Sequence, residues 1–337
     1  MSNRNFLTVG DLGPEGLKSL INRALTLNNP ESKPPASLTG KYVGVYFRKS
    51  STRTRTAFTL GAVRLGAQVI QYGPSDLQLV TGETARDTGL VLSQYLDLLV
   101  VRTNQSLSEM REFADQGRMS VINAMSENEH PTQAIADLVT IYEVLGHLDG
   151  VHVLYIGEGN NTAMALALAI SQMPGMRLTL VSPKGYGLSD GAILACSRSA
   201  REYGVTIEQH HRMDDLPAHV DVVYTTRWLT MGEPRPSATW RDEFAPFTIT
   251  PAVMARVSKS AETIFMHDLP AVRGSEVLDE VLDGPQSVAL RQAHHKQSSA
   301  MAILEWCAFA GGEIDSLEID RRRGDSRQWP SSKMVEA

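Results

Sequence analysis

Short apolar runs alternate along this chain with stretches whose apolar positions recur every three or four residues. That alternation of period-two and period-3.6 segments predicts an α/β chain. The run from Lys41 to Phe47 reads as a buried strand, followed by the polar RKSSTRTR and then a helical AFTLGAVRLGA. Strands are predicted at Ala67–Tyr72, Leu98–Arg102 and Ser120–Asn123, with a helix over Thr84–Tyr95. His130-Pro-Thr-Gln opens a helix that runs to about Leu145. A second set follows Gly150: strands at Val151–Ile156, Arg177–Ser182, Val220–Tyr224 and Thr263–His267, a turn at GEGNNT, and a helix over Ala163–Gln172. A last helix is predicted from about Ser287 to Ala310. The expected fold is two similar α/β domains, each a parallel sheet flanked by helices, with the divide near Leu145 to Gly150.

Composition narrows the classes. The chain has 337 residues, enough for roughly two domains at about 150 each. Hydrophobic residues make up 42% and charged residues 21%, ordinary for a globular protein. Lys plus Arg is 32 against 38 for Asp plus Glu, a net charge of −6. That balance speaks against a nucleic-acid partner, which would call for a basic excess or stripe. The two cysteines, Cys196 and Cys307, form no CxxC pair, so neither a disulfide framework nor a cysteine-based zinc site is expected. The opening MSNRNFLTVGDLG lacks an apolar signal core, and the longest clean apolar run, Ala163 to Ile170, is too short to span a bilayer. No membrane partner and a cytoplasmic location are expected. The segment DRRRGDSRQWPSSKMVEA from Asp320 has the composition of a loose terminus.

Candidate chemistry gathers where predicted strands end. Ser51-Thr52-Arg53-Thr54-Arg55 lies between a strand and a helix, where free backbone N–H groups and the helix dipole favour an anion. Hydroxyls and guanidinium forks both donate to phosphate oxygens. The competing reading is a capped helix with solvated arginines. His130 and Gln133 share one face of a predicted helix start and suit a carbonyl-like group. Arg102 ends a strand, and His267-Asp268-Leu269-Pro270 follows one. GEGNNT begins like a dinucleotide fingerprint, but Thr162 holds the third glycine position, so that reading is weak.

Taken together, FRKSSTRTRTAF, LVVRT, HPTQAIADLVTIYE, YIGEGNNTAMALA, VVYTTRWLTMGE, FMHDLPAVRGSEV and GPQSVALRQA resemble the aspartate/ornithine carbamoyltransferase family, in the family's order over roughly residues 5–310. The resemblance implies a carbamoyl-phosphate domain (1–147), an amine domain (148–290), a C-terminal helix returning to the first domain (291–315) and a tail (316–337). It implies transfer of a carbamoyl group from carbamoyl phosphate to an amine, with no metal and no organic cofactor. A homotrimer with shared active sites is implied as well. Ser51, Thr52, Arg53 and Thr54 would hold the phosphate. Arg102 would bridge phosphate and carbonyl oxygens. His130 would donate to the carbonyl oxygen, and Gln133 would hold the carbamoyl amino group. Thr54, Arg102 and His130 form the catalytic set. Arg55 matches the family's structural arginine, and Gln78 the residue supplied by an adjacent subunit.

Departures from the family fall in the acceptor half. Ornithine enzymes carry Cys in His-Cys-Leu-Pro, where this chain has Asp268 before Leu269. Their Asp-x-Trp-x-Ser-Met-Gly reads Thr226-Arg227-Trp228-Leu-Thr230-Met231-Gly232 here. Thr226-Arg227 is similar to the Thr-Arg of aspartate enzymes, whose arginine grips a carboxylate. Yet their second proline is absent, and Thr81 falls at or beside the place of their shared lysine. Asn160 and Asn161 match the pair that serves the acceptor carboxylate. Lys296, in QAHHKQS, stands in place of an arginine near the carbamoyl group. The expected acceptor is therefore an amino-acid-like amine other than ornithine, with Asp268 meeting an ammonium and Arg227 an acid group. The alternatives are an ordinary ornithine carbamoyltransferase making citrulline and a catalytically silent relative.

Overall fold

The computed structural model describes residues 4–29, 34–228, 239–259 and 261–309. In the first half, strands β1 (Tyr42–Phe47), β2 (Gln68–Tyr72), β3 (Leu98–Arg102) and β4 (Ser120–Met125) alternate with α1 (Gly13–Leu27), α2 (Arg53–Arg64), α3 (Ala85–Leu92), α4 (Leu107–Ala114) and α5 (Pro131–Leu145). The second half contains β5 (His152–Ile156), β6 (Arg177–Val181), β7 (Thr206–His210), β8 (Val222–Thr225) and β9 (Ile264–His267). Its helices are α6 (Asn161–Ile170), α7 (Asp190–Glu202), α8 (Trp240–Phe244), α9 (Pro251–Val257), α10 (Asp279–Leu282) and the long α11 (Ala289–Ala308).

Both sheets are parallel, in the orders β2-β1-β3-β4 and β7-β6-β5-β8-β9. Strands buried on both faces read as continuous apolar runs, and β3 and β5 are of this kind. The edge strands β2 and β7 are partly exposed and alternate with polar residues. That is why β7 carries no clear signal in the sequence. In each sheet the strand order reverses once, between β1 and β3 and between β5 and β8. Such switch points leave a crevice at the carboxyl ends of the strands.

The helix α11 packs on α1, α2 and α5, so the end of the described chain returns to the first domain. Buried Glu305 on α11 accepts a two-pronged bond from Arg23 of α1, at 2.6 and 2.9 Å. Two helices start earlier than the hydrophobic pattern suggests. Arg53, Thr54 and Arg55 lie in the first turn of α2, and Asn161 and Thr162 open α6. Polar first turns hide helix starts from a periodicity argument. Among the described residues no helix is long and apolar enough to cross a membrane. The tail from residue 310 onward lies outside the described residues.

Candidate active site

The carboxyl ends of β1, β3, β5, β8 and β9 converge on one cleft of about 430 Å³ between the two sheets. On the first-domain side it is lined by Ser51, Thr52, Arg53 and Thr54 after β1, Arg102 at the end of β3, and His130 and Gln133 at the start of α5. Facing them are Asn160 and Asn161 after β5, Thr226 and Arg227 after β8, and Asp268 and Leu269 after β9. Lys296 enters from α11. Gln78 does not line this cleft; it sits on a short 3-10 turn, Gln78–Thr81, with its carbonyl oxygens taken by Thr81. Thr230 and Met231 lie outside the described residues.

The cations crowd one another. Burial, then Arg53 and Arg55, bring Arg102 down to about 10, although Asp268 opposes the shift. Burial also lowers Arg53, again against Asp268. Arg102 donates to Thr54 Oγ1 at 3.4 Å, while its buried Nε has no partner. A buried donor without a partner is costly, so an anion here would recover that loss. Arg55 points elsewhere: it lies over the Phe47 ring at 5.2 Å and donates to Phe47 O, a structural contact.

His130 is buried and its pKa falls well below the usual histidine value, through desolvation first and then Lys296, Arg102 and Arg53. It is therefore neutral. Thr132 Oγ1 lies 3.3 Å from its Nδ1. A hydroxyl donating to Nδ1 leaves Nε2 protonated as a donor. Burial likewise pulls Lys296 down to about 8, with Asp268 and Asp137 resisting and Arg102 and Arg53 assisting. Lys296 donates to Gln133 Oε1.

The opposite wall is tied to itself. Asp268 accepts from Thr226 Oγ1 at 2.8 Å and from Thr162 Oγ1 at 3.0 Å, one hydroxyl on each oxygen. Asn160 caps α6 by accepting from the Thr162 and Ala163 N–H groups, and Asn161 donates to Ser126 O. The Arg227 Nε is buried and unpartnered. Leu269 has φ 56, a left-handed conformation rare for a branched residue, and the Leu269–Pro270 peptide is cis. Buried His267 braces this turn, accepting from Leu269 N at 2.8 Å while its other nitrogen faces Glu276 at 3.2 Å. Gly159 is required for a different reason: a Cβ there would lie 2.3 Å from the backbone of Gly187 and Leu188.

Thr162 was not singled out by the sequence as a site residue, since it registered only as a missing glycine. Asp137 and Tyr224 also escaped, although both lie inside motifs that mark the site. Their signal was helical spacing from Gln133 and proximity to Thr226. A larger cavity of about 1240 Å³ opens beside α10 and the start of α11, sharing only Leu269 with the cleft. Among the described residues the lysine and arginines that line it are already paired, Arg273 with Asp279 and Asp283, Lys259 with Asp221 and Arg291 with Glu143.

Two family models cover this architecture. Residues 4–143 match the aspartate/ornithine carbamoyltransferase carbamoyl-P binding domain, and residues 149–307 match its Asp/Orn binding domain. The chain belongs to the aspartate/ornithine carbamoyltransferase family. It is 37% identical over 308 residues to an ornithine carbamoyltransferase of Anoxybacillus flavithermus, covering 90% of this chain and 96% of that protein. The corresponding protein of Halalkalibacterium halodurans is 36% identical over 306 residues, covering 90% and 95%. The solved ornithine carbamoyltransferase from Pyrococcus furiosus superposes with a TM-score of 0.84 at 33% identity, over 90% of this chain and 96% of that one. The chain is thus a carbamoyltransferase by family, with the two-domain fold of its relatives. These relatives are named for ornithine, whereas the divergent motifs of this chain raised the expectation of a different acceptor.

Proposed function

We propose that the protein transfers the carbamoyl group of carbamoyl phosphate to the side-chain amine of ornithine, releasing phosphate. The observation that carries this reading is the cluster of Ser51, Arg53, Thr54, Arg102, His130 and Gln133 on one wall of the cleft. Relatives named ornithine carbamoyltransferase at 36–37% identity support the choice of acceptor.

In this reading the phosphate sits at the N-terminus of α2, held by Ser51, Thr52, Arg53 and Thr54 and by Gln78 from a neighbouring subunit. The neutral amine attacks the carbamoyl carbon. An N–C bond forms, and charge grows on the carbonyl oxygen, where Thr54, Arg102 and neutral His130 donate to it. The bond between the carbamoyl carbon and the bridging oxygen then breaks, and its electrons leave with the phosphate, which takes the amine proton. Gln133 accepts from the carbamoyl NH₂. Holding both substrates in one cleft supplies much of the remaining rate. No step calls for a metal or an organic cofactor.

On the acceptor wall, Asp268 meets an ammonium, and Arg227 with Asn160 and Asn161 serves the acceptor's carboxylate. A second reading rests on one observation: the Asp268 carboxylate stands at the end of β9 and accepts a hydrogen bond from Thr226, the position where ornithine enzymes carry their own acid. Moving the anchor across one strand suits a shorter or modified diamino acid. Product analysis with carbamoyl phosphate and ornithine, 2,4-diaminobutyrate or 2,3-diaminopropionate decides between them. Citrulline as the fastest product supports ornithine; a faster shorter acceptor replaces it. No amine-dependent phosphate release with any of the three would overturn the transferase reading.

We read the protein as a cytoplasmic homotrimer. Exposed Leu60, Val63, Ile70, Val80, Val91 and Tyr95 crowd the first domain, which favours self-association there. Light scattering at assay concentration checks the mass. In this reading the carbamoyl-phosphate domain ends at residue 147 and the amine domain begins at residue 148.

A further inference from the structure

Beneath the cleft, α5 and α11 cross with two i, i+4 pairs facing each other. Gln133 and Asp137 stand on α5, Gln292 and Lys296 on α11. Gln133 Nε2 donates to Asp137 Oδ1 at 2.7 Å, and Gln292 Nε2 donates to the same oxygen at 2.7 Å. Tyr224 of β8 donates to Asp137 Oδ2 at 3.1 Å. Gln292 Oε1 accepts from the His267 N–H at 2.9 Å, which ties the network to β9. Asp137 is completely buried and does not line the cleft, whereas Gln133 and Lys296 do.

A glutamine amide normally can turn over, exchanging its donor and acceptor ends. Gln133 cannot do so without loss. An ammonium has only donors, and an ionised carboxylate only acceptors. Burial raises the Asp137 pKa to about 7, and the Gln133 and Gln292 amides that donate to it oppose that shift. The Gln133 oxygen must therefore face Lys296 and its nitrogen must face Asp137. An amide oxygen has a second lone pair beyond the one that accepts from Lys296, and Gln133 lines the cleft. A carbamoyl NH₂ can donate to that lone pair; an acetyl methyl group cannot. Reversing the amide would direct N–H groups at the substrate amino group and remove the distinction.

We propose that Asp137 is a positioning residue that sets the polarity of the Gln133 amide and thereby the preference for carbamoyl over acyl phosphates. The inference rests on the reading that Gln133 meets the carbamoyl amino group. Asp137 touches no substrate. It acts from one helical turn away, and its own position is fixed by donors from α11 and β8.

The test uses two stable phosphonates, phosphonoacetamide and acetonylphosphonate, which differ in carrying NH₂ or CH₃ on the carbonyl. Calorimetric titration of the full-length protein gives their affinity ratio without needing turnover. The wild type should favour the amide by roughly tenfold or more, the scale of one buried hydrogen bond. Asp137→Ala should cut the ratio severalfold, since only Lys296 then holds the polarity of the amide. Asp137→Asn should keep most of it, because the asparagine oxygen still accepts from both glutamines. Gln133→Leu should lose the preference, and adding Asp137→Ala to it should change the ratio no further. If Asp137→Ala does not fold, Asp137→Ser carries the same test, since a hydroxyl with water in the gap donates as readily as it accepts. A folded Asp137→Ala or Asp137→Ser protein that keeps the wild-type ratio overturns the proposal. So does an Asp137→Asn protein that loses the preference as fully as Gln133→Leu. Failure of the transferase reading would show differently, as wild-type protein that binds neither phosphonate.

Discussion

The two walls of the cleft meet the same solvent in opposite electrical states. On the first-domain wall, burial and then Arg53 lower the Arg102 pKa, burial lowers Arg53, and the Arg102 Nε is buried and unpaired. On the second-domain wall, Asp268 is held by two threonine hydroxyls and Asn160 and Asn161 are spent on a helix cap and a loop carbonyl. The first wall stores an unfavourable arrangement that a dianion relieves. On the second, Asp268, Asn160 and Asn161 are satisfied without ligand while the Arg227 Nε is unpaired, so an acceptor's ammonium must trade for bonds already made. Preorganisation for the phosphate and exchangeability for the amine follow from that contrast.

The largest effect expected is on the first wall. Arg102→Ala or His130→Ala should cut turnover by about a hundred- to a thousandfold with the melting temperature nearly unchanged. Phosphate-release kinetics beside thermal unfolding measure both, and near-wild-type turnover would dissolve the contrast between the walls. Next, Asp268→Asn should raise the acceptor KM by about tenfold or more. The KM for carbamoyl phosphate should stay level or fall, because a negative charge beside Arg53 and Arg102 is removed. A change confined to carbamoyl phosphate would assign Asp268 to the wrong wall.

A pH profile sharpens the comparison further. Lys296 is effective as the ammonium, which is the form that donates to Gln133 and faces the dianion, and burial brings its pKa to about 8. Deprotonation above that value removes a positive charge from the free enzyme, so kcat/KM for carbamoyl phosphate should fall toward tenfold per pH unit above about 8. Lys296→Arg should move that limb to higher pH, since guanidinium stays charged. An unmoved limb would point to another group. The smallest effect expected comes from Thr162→Val, which removes one hydroxyl from Asp268 while keeping shape. The acceptor KM should rise severalfold, roughly the worth of one hydrogen bond, with carbamoyl phosphate KM constant.

The two walls also differed in how readily they could be read. SSTRTR, Arg102 and His130-Pro-Thr-Gln announce themselves because each sits at a strand end or helix start, where local chemistry and position coincide. Thr162 looked like a defect in a glycine fingerprint. Its role as a donor to Asp268 depends on a residue 106 positions later in the chain. The start of α2 at Arg53 was hidden by its polar first turn, and the half-exposed β7 by its mixed pattern. Thr230 and Met231, expected at the acceptor site, lie outside the described residues.

By itself the sequence determined the period of each element, the two-sheet plan and the kind of ligand the cation-rich loops can hold. These are local properties, fixed by spacing along the chain and by which side chains donate. Only the tertiary structure decided that Asp137 points Gln133's amide, that Thr162 and Thr226 share Asp268, and that Lys296 returns to the first domain's wall. Those pairings join α6 and the end of β8 to the end of β9, and α11 to α5. Burial makes each of them consequential, because a polar group removed from water must find its partner wherever the fold brings one.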